Sequence, residues 1–241
     1  MFQGPLDDPI RLVTIYGAQG LVCVWFAYLA YRVLKRDRKR LNLIFSGFYL
    51  STVVGTIFNF IYGPIADVQV VLILNFFTNF GVFYSPIFFV VFDLILLKSE
   101  KVITTTKQLL IFIGYGIYMF CMIFFVLAGT GWGVSLNPKW QPVWHLPFFL
   151  YVILGVSIFT IVPLMYFSFR IYNKFEDEQL KKKWKFFILG VCALIGFMYA
   201  IFFSNLLNID IVRTVVGAIG VILGIIGGYL MYIGVGRQLE K

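Results

Sequence analysis

The sequence predicts an all-α polytopic membrane protein, a bundle of seven transmembrane helices with its amino terminus outside and its carboxyl terminus in the cytoplasm. Three observations predict it. Hydrophobic residues make up 61% of the 241 residues and charged ones 13%, too little polar surface to cover a globule in water. Apolar runs of about 20 residues, the length that crosses a hydrocarbon core as a helix, recur along the chain. Lys and Arg are divided unequally between alternate connections.

The runs place helices near residues 11–34, 41–62, 69–97, 107–128, 146–172, 184–205 and 211–236, in one domain covering 1–241. A barrel would also satisfy the backbone in lipid, but its strands alternate in polarity, and runs such as Ile111–Leu127 do not. Orientation follows from the cations. One set of connections and helix ends holds Arg32, Lys35, Arg36, Arg38, Lys39, Arg40, Lys98, Lys101, Lys107, Arg170, Lys174, Lys181, Lys182, Lys183, Lys185, Arg237 and Lys241. Only Arg11, Lys139 and Arg213 fall on the other side, so the first set is read as cytoplasmic and the location as the cell membrane.

A net charge of +9 split among short juxtamembrane segments fits topology and membrane lipids, and no nucleic-acid partner is expected. The amino terminus lacks the basic segment and small-residue site of a cleavable signal, so the first helix is expected to direct insertion. Cys23, Cys121 and Cys192 fall within helices, without metal-ligand spacing, and are read as small core residues.

Two connections are long. The outer one, Gly129–His145, carries Trp132, Trp140 and Trp144 with Pro138 and Pro142, and reads as an interfacial aromatic belt or a lid. The inner one, Asn173–Lys185, runs from Glu176, Asp177 and Glu178 to Lys181, Lys182, Lys183 and Lys185, with Trp184 among them. It reads as solvated helix ends, or as an interface for a partner or lipid headgroups.

Ionisable groups inside a span are costly, which singles out Asp93. It lies near the cytoplasmic end of the third helix, where snorkelling or pairing with Lys98 relieves the cost without a functional role. Asn79, Pro86 and Asp93 recur every seven residues and share one face of that helix. Asn75 sits one turn before Asn79, and Asn59, Asn205 and Asn208 are placed at similar, outer depth. These five amides are the candidate ligand site, with interhelical ties as the rival reading. Pro86 and Pro163 each remove a backbone donor and are expected to bend the third and fifth helices.

In the seventh helix Gly220, Gly224 and Gly228 repeat every four residues with Gly217 and Gly227 beside them, a strip that admits a neighbouring backbone from the bundle or from another protomer. Asp210 and Arg213 at its start are spaced for a local pair. Ile211–Gly236 has no lysine, which removes covalent retinal attachment, and His145 is the sole histidine, which removes paired-histidine haem ligation. There is no glycine-rich phosphate loop and no nucleophile with a matched base, so neither enzyme activity nor a metal or cofactor is expected.

Several segments carry a resemblance: the basic first inner loop before Leu41–Tyr62, the run Asn59-Phe-Ile-Tyr62, the stretch Leu96-Leu-Lys-Ser-Glu-Lys-Val-Ile103, and the close from Ile211-Val-Arg213 through Tyr232-Ile-Gly234. In these the chain resembles the seven-helix amino-terminal sensor region of archaeal and bacterial histidine kinases and stand-alone archaeal membrane proteins of similar layout. The resemblance implies an environmental or lipid-phase sensor, and no catalytic residue carries over. With no kinase domain before Lys241, output is expected to pass through the inner loops to a separate partner. The leading expectation is therefore a receptor-like sensor or adaptor for an apolar or lipid-like molecule. A small transporter or channel component using Asn79, Pro86 and Asp93 is the alternative, and a structural subunit is the third.

Overall fold

The computed structural model of the chain describes residues 4, 5, 7, 9–129 and 131–236; Arg237 and Lys241 of the cation pattern lie outside them. It is built of helices, seven of them long and apolar enough to cross a membrane: α1 Val13–Arg36, α2 Arg40–Tyr62, α3 Val68–Lys98, α4 Thr105–Leu127, α5 Leu146–Lys174, α6 Glu178–Leu207 and α7 Asp210–Val235. Between α4 and α5 stands a hairpin of β1 Val134–Leu136 and β2 Pro142–Trp144, paired antiparallel with Val134 opposite Trp144. The long connection between α4 and α5 thus contains strand structure within an otherwise helical fold.

Neighbours in sequence pack as neighbours in space, and α7 returns to α1, closing a ring. Helix α3 fills the interior, touching α2, α4 and α5, and 61% of its most apolar window is buried against 17% for α4. The outward surface carries exposed Leu, Ile, Val and Phe side chains such as Leu110, Ile117, Phe124, Ile158 and Ile222, as lipid-facing helices require.

Backbone donors are satisfied at the helix starts by side chains. Asp67 accepts from Val70 N before α3, Thr104 from Lys107 N before α4, and Asp177 from Gln179 and Leu180 N before α6. The Asp177 cap corrects the sequence reading of the sixth helix. Glu178, Lys181, Lys182, Lys183 and Lys185 lie on its first turns, and the connection from α5 shrinks to 175–177.

Both prolines coincide with irregular backbone. Pro86 has no N–H for the Val82 carbonyl; Ser85 turns instead, its Oγ donating to Val82 O at 2.7 Å and its N–H at 3.3 Å. In α5 a wide turn, Ser157–Ile161, precedes Pro163.

Helix contacts depend on glycines. A Cβ on Gly55 of α2 would lie 2.8 Å from Thr78 O, and one on Gly81 of α3 only 2.7 Å from the Gly55 Cα. The α7 strip divides into two rows. Gly217, Gly224 and Gly228 face Thr14, Val22 and Phe26 of α1, whereas Gly220 and Gly227 face Phe197 and Gly190 of α6. Both rows are occupied inside the bundle. Helix α7 is pinned further by Trp25 Nε1 donating to Ile225 O at 3.2 Å and Tyr49 OH donating to Gly228 O at 2.9 Å.

Candidate functional site

The two ends of the bundle differ, and each holds part of the sequence-predicted site. At the amino-terminal end, the hairpin turn is built on Asn137, whose Oδ1 accepts from the N–H groups of Lys139 and Gln141 at 3.0 Å. Its Nδ2 reaches Asn208 Oδ1 at 3.1 Å. Asn208 ends α6 in the left-handed region at φ 52°, a conformation asparagine tolerates. Arg213 donates to Pro142 O at 2.7 Å, Asn208 Oδ1 at 3.2 Å and Asn205 Oδ1 at 3.4 Å. Its local pairing with Asp210 is replaced by a longer link, because Asp210 meets Lys139 of the hairpin at 2.7 Å. These contacts clamp the hairpin onto α6 and α7.

Beneath the hairpin Trp144 is 1% exposed among Phe83, Phe148 and Phe202, and Trp140 is buried beside Tyr62 and Val71. Only Trp132, at 63% exposure, has the environment of a belt residue. The aromatic-belt reading is corrected for the other two, since β2 turns Trp144 inward and the turn carries Trp140 over α3.

The remaining amides form two short ties. Asn79 Nδ2 donates to Asn75 Oδ1 at 3.0 Å and Asn75 Nδ2 to Tyr62 OH at 3.1 Å, joining α2 to α3. Asn59 of α2 donates to Gln19 Oε1 of α1. The five candidate amides therefore divide among three separate networks, each with protein partners.

At the basic end Asp93 is fully buried and does not reach Lys98. Its Oδ2 accepts from Ser168 Oγ of α5, whose carbonyl in turn accepts from Trp184 Nε1 of α6 at 2.9 Å. Among the described residues its Oδ1 has no hydrogen-bond partner. With the whole residue at 0% exposure, the carboxyl does not snorkel to the surface of the bundle. In the α1–α2 connection Lys39, hydrogen-bonded and ion-paired with Asp37 at 2.8 Å, holds that carboxyl below its usual range, and Asp37 raises the lysine in turn.

Between the two ends lies a cavity of about 110 Å³. Every helix except α4 contributes to it: Val22 and Phe26 from α1, Phe48 and Thr52 from α2, Val82, Ser85, Pro86 and Phe89 around the break in α3, Ile161 and Leu164 from α5, Val191, Leu194, Ile195, Phe197, Met198 and Ile201 from α6, Gly224 and Met231 from α7. The hydroxyls of Thr52 and Ser85 are bonded to Phe48 O and Val82 O, so the wall offers almost no free polar group. Apolar walls of this kind give water few hydrogen-bond partners. None of the five amides lines it, nor does Asp93. Of the residues singled out in the sequence, Pro86 and Gly224 do. The other lining residues have the composition of any buried helix face, and the Pro86 break was their one sequence signal.

The fold and surface define a polytopic membrane protein of seven helices. No protein-family model matches the chain, and no curated protein matches it by sequence.

Proposed function

We propose that this protein is a receptor-like sensor or adaptor of the cell membrane that takes an apolar or lipid-like ligand into the cavity at the α3 break. Its output is a shift of helices passed to a separate cytoplasmic or membrane partner, with no chemical step of its own. The amino terminus is outside and the basic end, including Lys181, Lys182, Lys183 and Lys185, is cytoplasmic, on the cation asymmetry.

One observation carries the reading. The cavity coincides with the point where α3 has lost its regular hydrogen bond at Pro86, and α7 closes it through Gly224 and the Met231 side chain. Filling it changes the packing between a broken central helix and a helix tied to α1 and α2 through Trp25, Arg36 and Tyr49. The small volume favours a compact apolar molecule or the end of a branched chain.

Native mass spectrometry of protein released from lipid nanodiscs tests this. A discrete apolar mass retained at one per chain is expected; bare protein throughout, under conditions that preserve the fold, contradicts it. A transporter or channel component is the second reading, favoured by Asp93 Oδ1, a buried polar atom without a partner among the described residues. Against it stand Phe83 and Phe89, which are apolar and buried between Asn79 and Asp93 along α3. Solute flux in liposomes that disappears in Asp93→Asn supports that second reading.

A further inference from the structure

Tyr28, Tyr31, Arg32, Lys35 and Arg36 at the basic end of α1 line an open groove of about 540 Å³, within the range of ligand sites. The cations are held by rings. Arg32 lies 5.8 Å over Tyr28 and donates to its hydroxyl at 2.9 Å; Lys35 lies 5.7 Å over Tyr31; Arg36 lies 5.0 Å over Tyr232 of α7 and donates to its hydroxyl.

Ring contacts orient a cation without cancelling its charge, whereas a carboxylate does both. Among the described residues neither Arg32 nor Lys35 has a salt bridge, and the nearest acid in sequence, Asp37, is taken by Lys39. The groove therefore presents net positive charge where α1 leaves its apolar run. Toward the middle of α1 the same face continues through Leu21 and Val24, exposed at 55% and 69%, up to Tyr28 and Tyr31 at 44% and 57%. Spacings of three and four residues keep these side chains in one outward stripe. A charged groove joined to an exposed apolar stripe at interfacial depth matches one ligand chemistry, a phosphate headgroup carried on acyl chains.

We propose that this groove is a binding site for an anionic phospholipid. Arg32 and Lys35 contact the phosphate, Tyr28 and Tyr31 flank the glycerol region, and an acyl chain runs along Val24 and Leu21. The inference rests on the membrane reading of the fold and is independent of the α3 cavity, so either can fail alone.

The test uses the full chain in nanodiscs of phosphatidylglycerol with excess phosphatidylcholine, and native mass spectrometry to count retained lipids. Wild type is expected to retain phosphatidylglycerol preferentially. Arg32→Gln with Lys35→Gln is expected to weaken that retention roughly 30-fold, at about one unit of surface electrostatics per cation. Lys98→Gln with Lys101→Gln removes equal charge at the end of α3 and is expected to leave retention at this site intact. Tyr31→Leu, which keeps every charge, is expected to lower it about threefold and serves if the double variant unfolds. Inorganic phosphate is expected not to displace the lipid. Absence of preference, equal loss in both double variants, or displacement by free phosphate overturns the proposal.

Discussion

Asn79 and Pro86 lie on the same helix about 10 Å apart, and their surroundings are opposites. Around Asn79 every amide is committed: Asn79 to Asn75, Asn75 to Tyr62, Asn59 to Gln19. Around Pro86 there is space, lined by Phe48, Phe89, Leu164, Val191 and Met198, with both hydroxyls bonded to their own helices. Polar side chains in a bundle core find one another, because an unpaired amide in hydrocarbon is costly. Voids persist where the backbone is irregular and the walls are apolar. In this protein the residues that draw attention in the sequence are ties, and the room for a ligand lies among residues that do not.

Four expectations sharpen that contrast, from the largest effect to the smallest. Gly190→Leu places a side chain where a Cβ would already lie 2.5 Å from Gly227 O, so α6 and α7 must separate; a loss of about 3 kcal/mol or more is expected in reversible unfolding. Val191→Phe fills the cavity from α6, and ligand retention is expected to fall at least about tenfold, or about 1.4 kcal/mol, with the fold retained. Asn79→Leu removes the donor to Asn75 and is expected to cost about 1 kcal/mol of stability with ligand retention unchanged. Lys139→Gln breaks an exposed pair with Asp210, and a change below about 1 kcal/mol is expected in thermal unfolding.

Asp93 marks where the two regimes meet, a buried carboxyl with one satisfied oxygen. Asp93→Leu leaves Ser168 free to bond within its own helix, and unchanged or slightly raised stability is expected, as when both partners of a buried bond are made unnecessary. A functional defect accompanied by intact stability would assign this residue to activity; a clear loss of stability would assign it to structure.

The seven spans were legible because their length and apolarity are set by the bilayer thickness, and their bounds lie within two residues of the structure except at the start of α6. The start of α6 was read too late, at residue 184, because the polarity of Lys181–Lys183 masked the capping pattern of Asp177 followed by Glu178. The hairpin was not, because strands of three residues with Pro142 and Trp144 in one of them show no alternation to read. Neither was the Gly55–Gly81 crossing, whose partners stand on different helices and repeat nothing. The cavity was legible only at Pro86 and Gly224. Shape among apolar side chains depends on how the helices meet, and composition does not encode it.

The most direct test of the cavity reading compares ligand retention by native mass spectrometry in Val191→Phe and Asn79→Leu, each checked for an intact fold by thermal unfolding. Loss of the bound apolar mass in Val191→Phe with retention in Asn79→Leu is expected. Retention in Val191→Phe together with loss in Asn79→Leu would contradict it and return the ligand site to the amides.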